Sequence, residues 1–374
     1  VTFGVYVHVP FCSSRCGYCD FNTYTPSELG GSSPNSYLDA LEKELDAAAQ
    51  TYPLGPADTV FIGGGTPSLI GAAGLERVLR AVRNSFGVAA HAEITTEANP
   101  ESTSQEFFDH IRAVGYNRVS LGMQSASPTV LRILERRHTP GRAFQAIAEA
   151  HATGFEHLNL DVIYGTPGES DDDLRATLDA VLDAPVDHVS AYSLIVEDGT
   201  AMARKVRKGI IPQPDEDTYA DRYAMIDQAL STAGFDWYEV SNWAKPGGQC
   251  LHNLGYWRDH DYYGAGPGAH SHIGNTRFYN VKHPATYAAQ ATQPQAGSEE
   301  LTPHDRHTEA LMLGLRLREG IREEIIGAGA RDVIADYINR GLLARTHGRL
   351  HVTDAGRLVA DGIIADILVA EGQS

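Results

Sequence analysis

The sequence predicts an α/β protein: a partial (β/α)6 TIM-like barrel over residues 1–240, a connecting stretch at 241–302, and a small winged-helix-like α+β domain at 303–374. Three observations carry this. Short β-rich runs alternate with amphipathic helical segments, which implies a parallel sheet with its crossover helices outside it. The pattern then changes near the carboxyl end to helices around a glycine turn. Between them, residues 283–303 turn to Ala, Gln, Thr, Ser and Pro, a linker composition. A doubly wound open sheet would satisfy the same alternation and stays open at this point.

The strand-like runs are 4–9, 59–62, 93–97, 118–121, 158–163 and 188–194, with a further run at 236–240 flanking the set. Between them, segment 36–49 carries Leu38, Leu41 and Leu45 at helical spacing, and 75–86 places Leu75, Val78, Leu79 and Val82 on one face. Thr103 and Glu106 form a capping-box pattern before Phe107, Phe108 and Ile111. Ser127 with Pro128 marks the next helix start, and Ser170 with Asp173 repeats the box before Leu174, Leu178 and Leu182. Segment 215–232 presents Tyr219, Tyr223, Ile226 and Leu230 as a buried stripe. Beyond the linker, 308–317 and 332–340 read as helices, 342–352 as two β-like runs about Gly348, and Thr353 as the cap of a helix over 355–368. If six βα units close into a barrel, the active site lies at the carboxyl ends of the strands.

Composition removes several classes. Apolar residues make up 42% and charged residues 21%, which is globular rather than disordered. The formal net charge of −18 argues against a nucleic-acid partner, because such binding rests on basic side chains releasing counterions. The carboxyl-terminal domain does not reverse this: from Leu301 onward nine Lys/Arg face eleven Asp/Glu, so packing or a lid role fits it better than DNA binding. No apolar run reaches the ~20 residues of a transmembrane helix. Four cysteines in 374 residues, three of them bunched, fit a reducing cytoplasm rather than a disulfide framework.

The bunched cysteines are Cys12, Cys16 and Cys19, spaced C-x3-C-x2-C directly after the first strand. Three thiolates on a [4Fe–4S] cube leave one iron open to a substrate or cofactor. Three Cys with His8 could equally form a structural Cys3His zinc site. After the second strand comes Phe61-Ile62-Gly63-Gly64-Gly65-Thr66-Pro67, whose glycines let backbone approach a ligand, or simply make a tight strand–helix turn. It is not a P-loop, since no Gly-Lys-Ser/Thr follows. Glu97 closes the third predicted strand, Gln124 follows the fourth, Asp161 lies in the fifth, and Arg136 falls between the last two.

Taken together, these motifs resemble the radical SAM superfamily, and their order resembles its oxygen-independent coproporphyrinogen oxidase branch over most of residues 1–280. The resemblance implies a radical SAM barrel with Cys12, Cys16 and Cys19 holding the cluster. It implies that Gly63, Gly64, Gly65 and Thr66 contact the methionine amino group of S-adenosyl-L-methionine (SAM). Arg136, Gln124 and Glu97 would then hold its carboxylate and neighbouring polar groups, Asp161 the ribose hydroxyls, and the backbone near Tyr18 the adenine. Tyr6 also matches a site tyrosine of that branch. The implied chemistry is one-electron cleavage of SAM to methionine and a 5′-deoxyadenosyl radical, which needs a low-potential electron donor.

Two departures separate this chain from the porphyrinogen-oxidising members. Those carry a further cysteine two residues after the third, where this chain has Phe21, and a longer segment ahead of the cluster, where Cys12 here follows a single strand. Both departures resemble the HemW-type haem chaperones. So does His252-Asn253-Leu254-Gly255-Tyr256-Trp257, an HNxxYW motif that in those proteins is associated with haem. The resemblance implies haem as cargo, haem-accepting partner proteins, His252 as the axial iron ligand, and Tyr256 and Trp257 against the porphyrin face. Cys250 and His270 are the fallback ligands. The absence of C-x-x-C-H rules out c-type attachment. Coproporphyrinogen oxidation, another SAM-dependent radical reaction, and transient contact with a membrane surface stay open on the sequence.

Overall fold

The computed structural model describes residues 2–136 and 139–372. Six parallel strands follow one another in space as in sequence: β1 (Phe3–Val9), β2 (Ala57–Gly64), β3 (Val88–Ala98), β4 (Arg118–Gln124), β5 (His157–Tyr164) and β6 (His188–Ser193). This monotonic order lacks the reversal that defines a doubly wound sheet, so the barrel-like alternative is the one adopted. Residues of the loop after β1 and of β2 through β6 line a single cavity, so the sheet curls around a lumen.

Strand alternation explains the layering. Val5, Val7 and Val9, then Val119, Leu121 and Met123, then Leu158, Leu160 and Val162 are buried and apolar. They belong to one continuous core with Leu41, Leu45, Leu75, Leu79, Phe108 and Ile111 from the crossover helices. The alternate positions are polar and point into the lumen: Thr95 and Glu97; Arg118, Ser120 and Gln124; Asn159 and Asp161; His188, Ser190 and Tyr192. Successive side chains in a strand point to opposite faces, so a dry outer face and a polar inner face alternate along one run.

Most helix signals fall where the sequence puts them. Ser127 accepts from the Val130 N–H ahead of the helix Pro128–Ile133, and the Ser170–Asp173 box closes on Asp171–Asp183. The Thr103–Glu106 box does not form. Ser104 caps Gln105–Val114 by accepting from Phe107 N–H, because Pro100–Ser102 is a tight turn that takes up Thr103, whose hydroxyl donates to the Pro100 carbonyl.

The stretch from residue 241 is not a passive connection. β7 (Asp236–Glu239) and β8 (Asn242–Ala244) add antiparallel beyond β6. After the helix Leu251–Trp257, β9 (Asp261–Ala265) pairs parallel with β1, and β10 (His270–Ile273), β11 (Thr276–Asn280) and β12 (Gln295–Glu300) extend that edge. Residues 283–303, expected as a linker, contain the helix Pro284–Ala289 and the strand β12. β12 reads as loop because it is an exposed edge strand, held by ladder hydrogen bonds rather than by a buried apolar face.

The carboxyl-terminal unit packs helices Pro303–Gly314, Arg331–Asn339 and Ala360–Gly372 with a three-stranded antiparallel sheet of β13 (Ile321–Arg322), β14 (Leu343–Thr346) and β15 (Arg349–Val352). Its first helix starts five residues earlier than expected, at a Thr302–Asp305 capping box. The unit docks on the barrel through Trp237 Nε1, which donates to Asp354 at 2.9 Å, and through Arg357, which pairs with Asp227 and lies over the Tyr223 and Trp237 rings. Among the described residues no helix is long and apolar enough to cross a membrane.

Candidate functional site

The cysteine loop leaves β1 and returns on itself. Cys12 N–H donates to the Tyr24 carbonyl at 3.0 Å and Tyr24 N–H to the Pro10 carbonyl at 2.7 Å, closing a loop that holds all three cysteines. Arg15 reaches back across it to the Thr23 carbonyl. The glycine run docks against the same loop: Gly65 N–H donates to the Val9 carbonyl and Thr66 N–H to the Phe11 carbonyl, each at 2.8 Å. A Cβ on Gly65 would lie 2.5 Å from the Phe11 oxygen and 3.1 Å from Cys12 Sγ, so only glycine permits this approach.

Cys12, Cys16, Cys19, Tyr18, Gly64, Gly65, Thr66, Glu97, Gln124, Arg136 and Asp161 all line one cavity of about 650 Å³ at the carboxyl ends of the strands. Two residues of the expected set, Tyr6 and Gly63, do not line it. Tyr6 lies further down β1, where its hydroxyl meets His8 Nδ1 at 3.0 Å, and it lines the two neighbouring cavities.

Several polar atoms in the large cavity are buried without partners, which is unusual in a folded interior. Gln124 Oε1 and Arg136 Nε are both orphaned. Arg136 donates only weakly, to Cys16 Sγ at 3.4 Å and the Gly122 carbonyl at 3.3 Å, and no carboxylate lies within ion-pair distance among the described residues. Gln124 sits at φ +65°, a left-handed conformation uncommon for a side chain larger than glycine's, beside a register shift between Gly122 and Gln124. Such strain is found where a strand end is re-aimed toward a ligand. Glu97 accepts only the Gly64 N–H, at 3.0 Å, and burial, then the nearby Asp161, raise its carboxyl to about 8. Asp161 is also raised by burial, although Ser120 and Asn159 donate to it at 2.8–3.2 Å. A buried guanidinium without an ion-paired carboxylate among the described residues, two carboxyls raised by burial and a glycine run that allows close backbone approach suit a zwitterionic amino acid joined to a ribose diol.

Among the described residues no three His, Cys, Asp or Glu side chains converge on a point where one metal ion would sit. A cube takes each thiolate on a separate iron, so its cysteines need only ring a cavity, as these do. A Cys3His zinc centre demands convergence and a free imidazole. His8 supplies neither, since its Nε2 meets the Asn22 carbonyl at 2.9 Å and its Nδ1 meets Tyr6.

The HNxxYW motif lies at the opposite end of the lumen. The helix Leu251–Trp257 begins without a capping side chain of its own. Glu93 of β3 replaces it, accepting the Leu251 and His252 N–H groups at 3.0 Å each while pairing with Arg118 at 2.9 Å. Arg118 also donates to the carbonyls of Gly248 and Gln249. His252 is 3% exposed, with Nδ1 on the Thr59 hydroxyl at 2.8 Å and Nε2 on the Tyr256 hydroxyl at 2.9 Å, and its ring stacks on Phe61 at 5.3 Å. Burial lowers its pKa to about 3. As folded, both His252 ring nitrogens are hydrogen-bonded, so ligation of an iron by this residue requires one of these two hydroxyl partners to move. Tyr256 is turned onto Tyr262, and Trp257 packs with Tyr238, Leu254 and Leu317. Cys250 is buried and donates to Glu93, its thiol pushed up by burial. His270, by contrast, is exposed.

Residues the sequence reading passed over complete the lumen. Asn159 Nδ2 bridges Ser120, Asp161 and Ser190, and its carbonyl meets His188 Nδ1 at 2.7 Å. The signal was present: strict alternation of polar residues along 118–124, 157–161 and 188–192.

The class follows from this arrangement: a parallel half-barrel with three cysteines after its first strand and a glycine run after its second. The family profile described as Radical SAM superfamily matches residues 6–181, and HemN C-terminal domain matches residues 301–359. The protein named heme chaperone HemW from Mycobacterium tuberculosis (strain H37Rv) is 56% identical over 369 residues, 98% of this chain and 95% of the relative. HemW of Escherichia coli K12 is 33% identical, covering 98% of each chain, and HemW of Bacillus subtilis 168 is 32% identical, covering 97% of this chain and 98% of that one. The solved structure of coproporphyrinogen III oxidase (HemN) from Escherichia coli superposes with a TM-score of 0.84 at 24% identity, over 99% of this chain and 89% of that one, which establishes the shared fold. This chain belongs to the HemW family of radical SAM proteins.

Proposed function

We propose that this protein is a cytoplasmic haem chaperone that holds a [4Fe–4S] cluster on Cys12, Cys16 and Cys19, binds SAM beside it, and hands haem to acceptor proteins. The observation that carries the cofactor half is the cavity of about 650 Å³ with its orphaned buried Gln124 Oε1 and Arg136 Nε. Arg136 has the free positive charge for the methionine carboxylate, and Gln124 Oε1 is an unfilled acceptor for a neighbouring ammonium or hydroxyl donor. Glu97 faces the glycine run and is suited to the ammonium, whose charge would return that carboxyl to its ionised form. Asp161, fixed by Ser120 and Asn159, keeps acceptor capacity for a ribose diol. Bound together, cluster and SAM supply one-electron reductive chemistry, with a low-potential protein donor as the electron source. The haem half is supported by the relatives named heme chaperones and by Phe21, which stands where porphyrinogen-oxidising members carry a further cysteine.

The test is anaerobic reconstitution with iron and sulfide, followed by titration with SAM and with haem. A broad visible cluster absorption that a Cys16→Ala variant abolishes, together with a stable Soret band on adding haem, is the expected result. Turnover of coproporphyrinogen III with SAM and reductant, without a Soret band, would overturn the chaperone reading in favour of the oxidase. A full cluster persisting in Cys16→Ala would overturn the ligand assignment.

A further inference from the structure

We propose that haem docks in the cavity between the cysteine loop and the β10–β11 hairpin, with His270 on the iron and Arg15 and Lys282 facing the propionates. This rests on the haem-carrying reading above and names the site that the closed HNxxYW motif leaves unassigned.

The cavity measures about 580 Å³, within the ~300–1,000 Å³ of ordinary ligand sites. Its walls come from two elements that are bolted together. Asn22 Nδ2 donates to the carbonyls of Pro267 at 3.0 Å and Lys282 at 2.9 Å, and the Tyr24 hydroxyl donates to the Lys282 carbonyl at 3.2 Å. Gly268 permits this contact, since a Cβ there would lie 2.5 Å from Asn22 Nδ2. The walls are therefore formed before any ligand arrives.

His260 aside, which borders a far smaller cavity and whose Nδ1 is unpartnered, the histidines of this region divide sharply. His8, His188, His252 and His272 are buried, and each has both ring nitrogens engaged. His270 is exposed, lines the cavity, and has no hydrogen-bond partner on either ring nitrogen among the described residues. Its ring stacks on Tyr279, the residue opposite it across the hairpin, with centroids 5.3 Å apart and planes at 25°, which fixes its orientation. Partial burial and the neighbouring Lys282 lower its pKa, favouring the neutral imidazole that ligates iron.

Part of the remaining lining suits a planar dianion, with an exposed apolar ring and two basic side chains among mostly polar residues. Phe21 is 63% exposed, an apolar ring that nothing in the fold covers, and Tyr24 stands near it on the same loop. Lys282 and Arg15, the latter also paired with Glu28 at 3.3 Å, bring positive charge to the cavity, which Asp20 and Glu97 also line. The cavity adjoins the larger one, sharing Arg15, Phe21, Gly64 and Glu97 with it, so cargo here sits across one loop from the cluster cysteines. A site at the surface also suits a carrier, because an acceptor's own ligand must reach the iron. His252 instead lines a smaller inner cavity of about 120 Å³, with both ring nitrogens bonded.

The experiment titrates hemin into the reconstituted full-length protein and follows the Soret band. His270→Ala is expected to weaken binding at least about tenfold and to lose the histidine-ligated spectrum, while its cluster absorption and far-UV circular dichroism match wild type. In His270→Gly, added imidazole is expected to restore the band, which a merely structural role would not produce. Lys282→Glu is expected to weaken binding without changing the ligation spectrum. Wild-type affinity and spectrum in His270→Ala would overturn the proposal. So would loss of the band in a His252→Ala variant that keeps its fold and cluster. Absence of any Soret band in the wild type would instead refute the haem-carrying reading itself.

Discussion

At the amino ends of the barrel strands, Glu93 alone accepts four groups: Arg118 Nε, the Leu251 and His252 amides and the Cys250 thiol. His252 has both nitrogens bonded inside the same set. At the carboxyl ends, about 13–20 Å further along the same strands, Arg136 lacks a carboxylate partner among the described residues, Gln124 Oε1 is orphaned and Glu97 accepts a single amide. Satisfied groups hold a structure together and unsatisfied ones wait for something to hold. By that criterion the histidine end, where Arg118 Nη1 is an exception, packs as a plug and the cysteine end is the candidate site, in keeping with the division of labour in (β/α) barrels.

The comparison can be broken most directly at the plug. Glu93→Ala removes the partner of the buried Arg118 and the substitute cap of the Leu251–Trp257 helix, so chemical unfolding should show a loss of about 3–5 kcal/mol. An unchanged midpoint would make the floor dispensable. Next in size is His252→Ala, which orphans the Thr59 and Tyr256 hydroxyls at about 1–3 kcal/mol each, read in the same unfolding assay.

At the other end the effect should move from stability to binding. Arg136→Ala is expected to leave the melting temperature close to wild type and to weaken SAM by about 1.5–3 kcal/mol, ten- to hundredfold, in equilibrium binding. A large drop in melting temperature with unaltered SAM affinity would reverse the assignment of the two ends. The smallest effect concerns pH. The folded Glu97 carboxyl, near 8, holds its proton where the unfolded chain, near 4.5, has released it. Stability of the cofactor-free protein therefore falls as pH rises between those values, and Glu97→Gln should flatten the slope by at most ~1.4 kcal/mol per pH unit. No change of slope would mean that Glu97 ionises normally.

Much of this was legible in the chain. The six strands, the Ser127 and Ser170 caps, the placing of Glu97 and Gln124 at strand ends and of Asp161 within the fifth strand all follow from local periodicity and spacing. Local signals failed where the deciding partner was remote. Nothing near β12 announces an edge strand, because its stability comes from the ladder with β11. The Thr103 box lost to Ser104 because a neighbouring turn had already taken up Thr103.

By itself the sequence determined the class of fold and the inventory of the site, since alternation, caps and the C-x3-C-x2-C spacing are properties of neighbouring residues. It could not determine which histidine is available. His252 carries the motif, yet Thr59 and Glu93, from strands far away in sequence, consume its hydrogen-bonding capacity and that of its backbone. His270 has no motif to mark it, yet the hairpin leaves its ring free beside Phe21 and Lys282. Availability of a lone pair depends on what the folded chain brings to it, and only tertiary packing sets that.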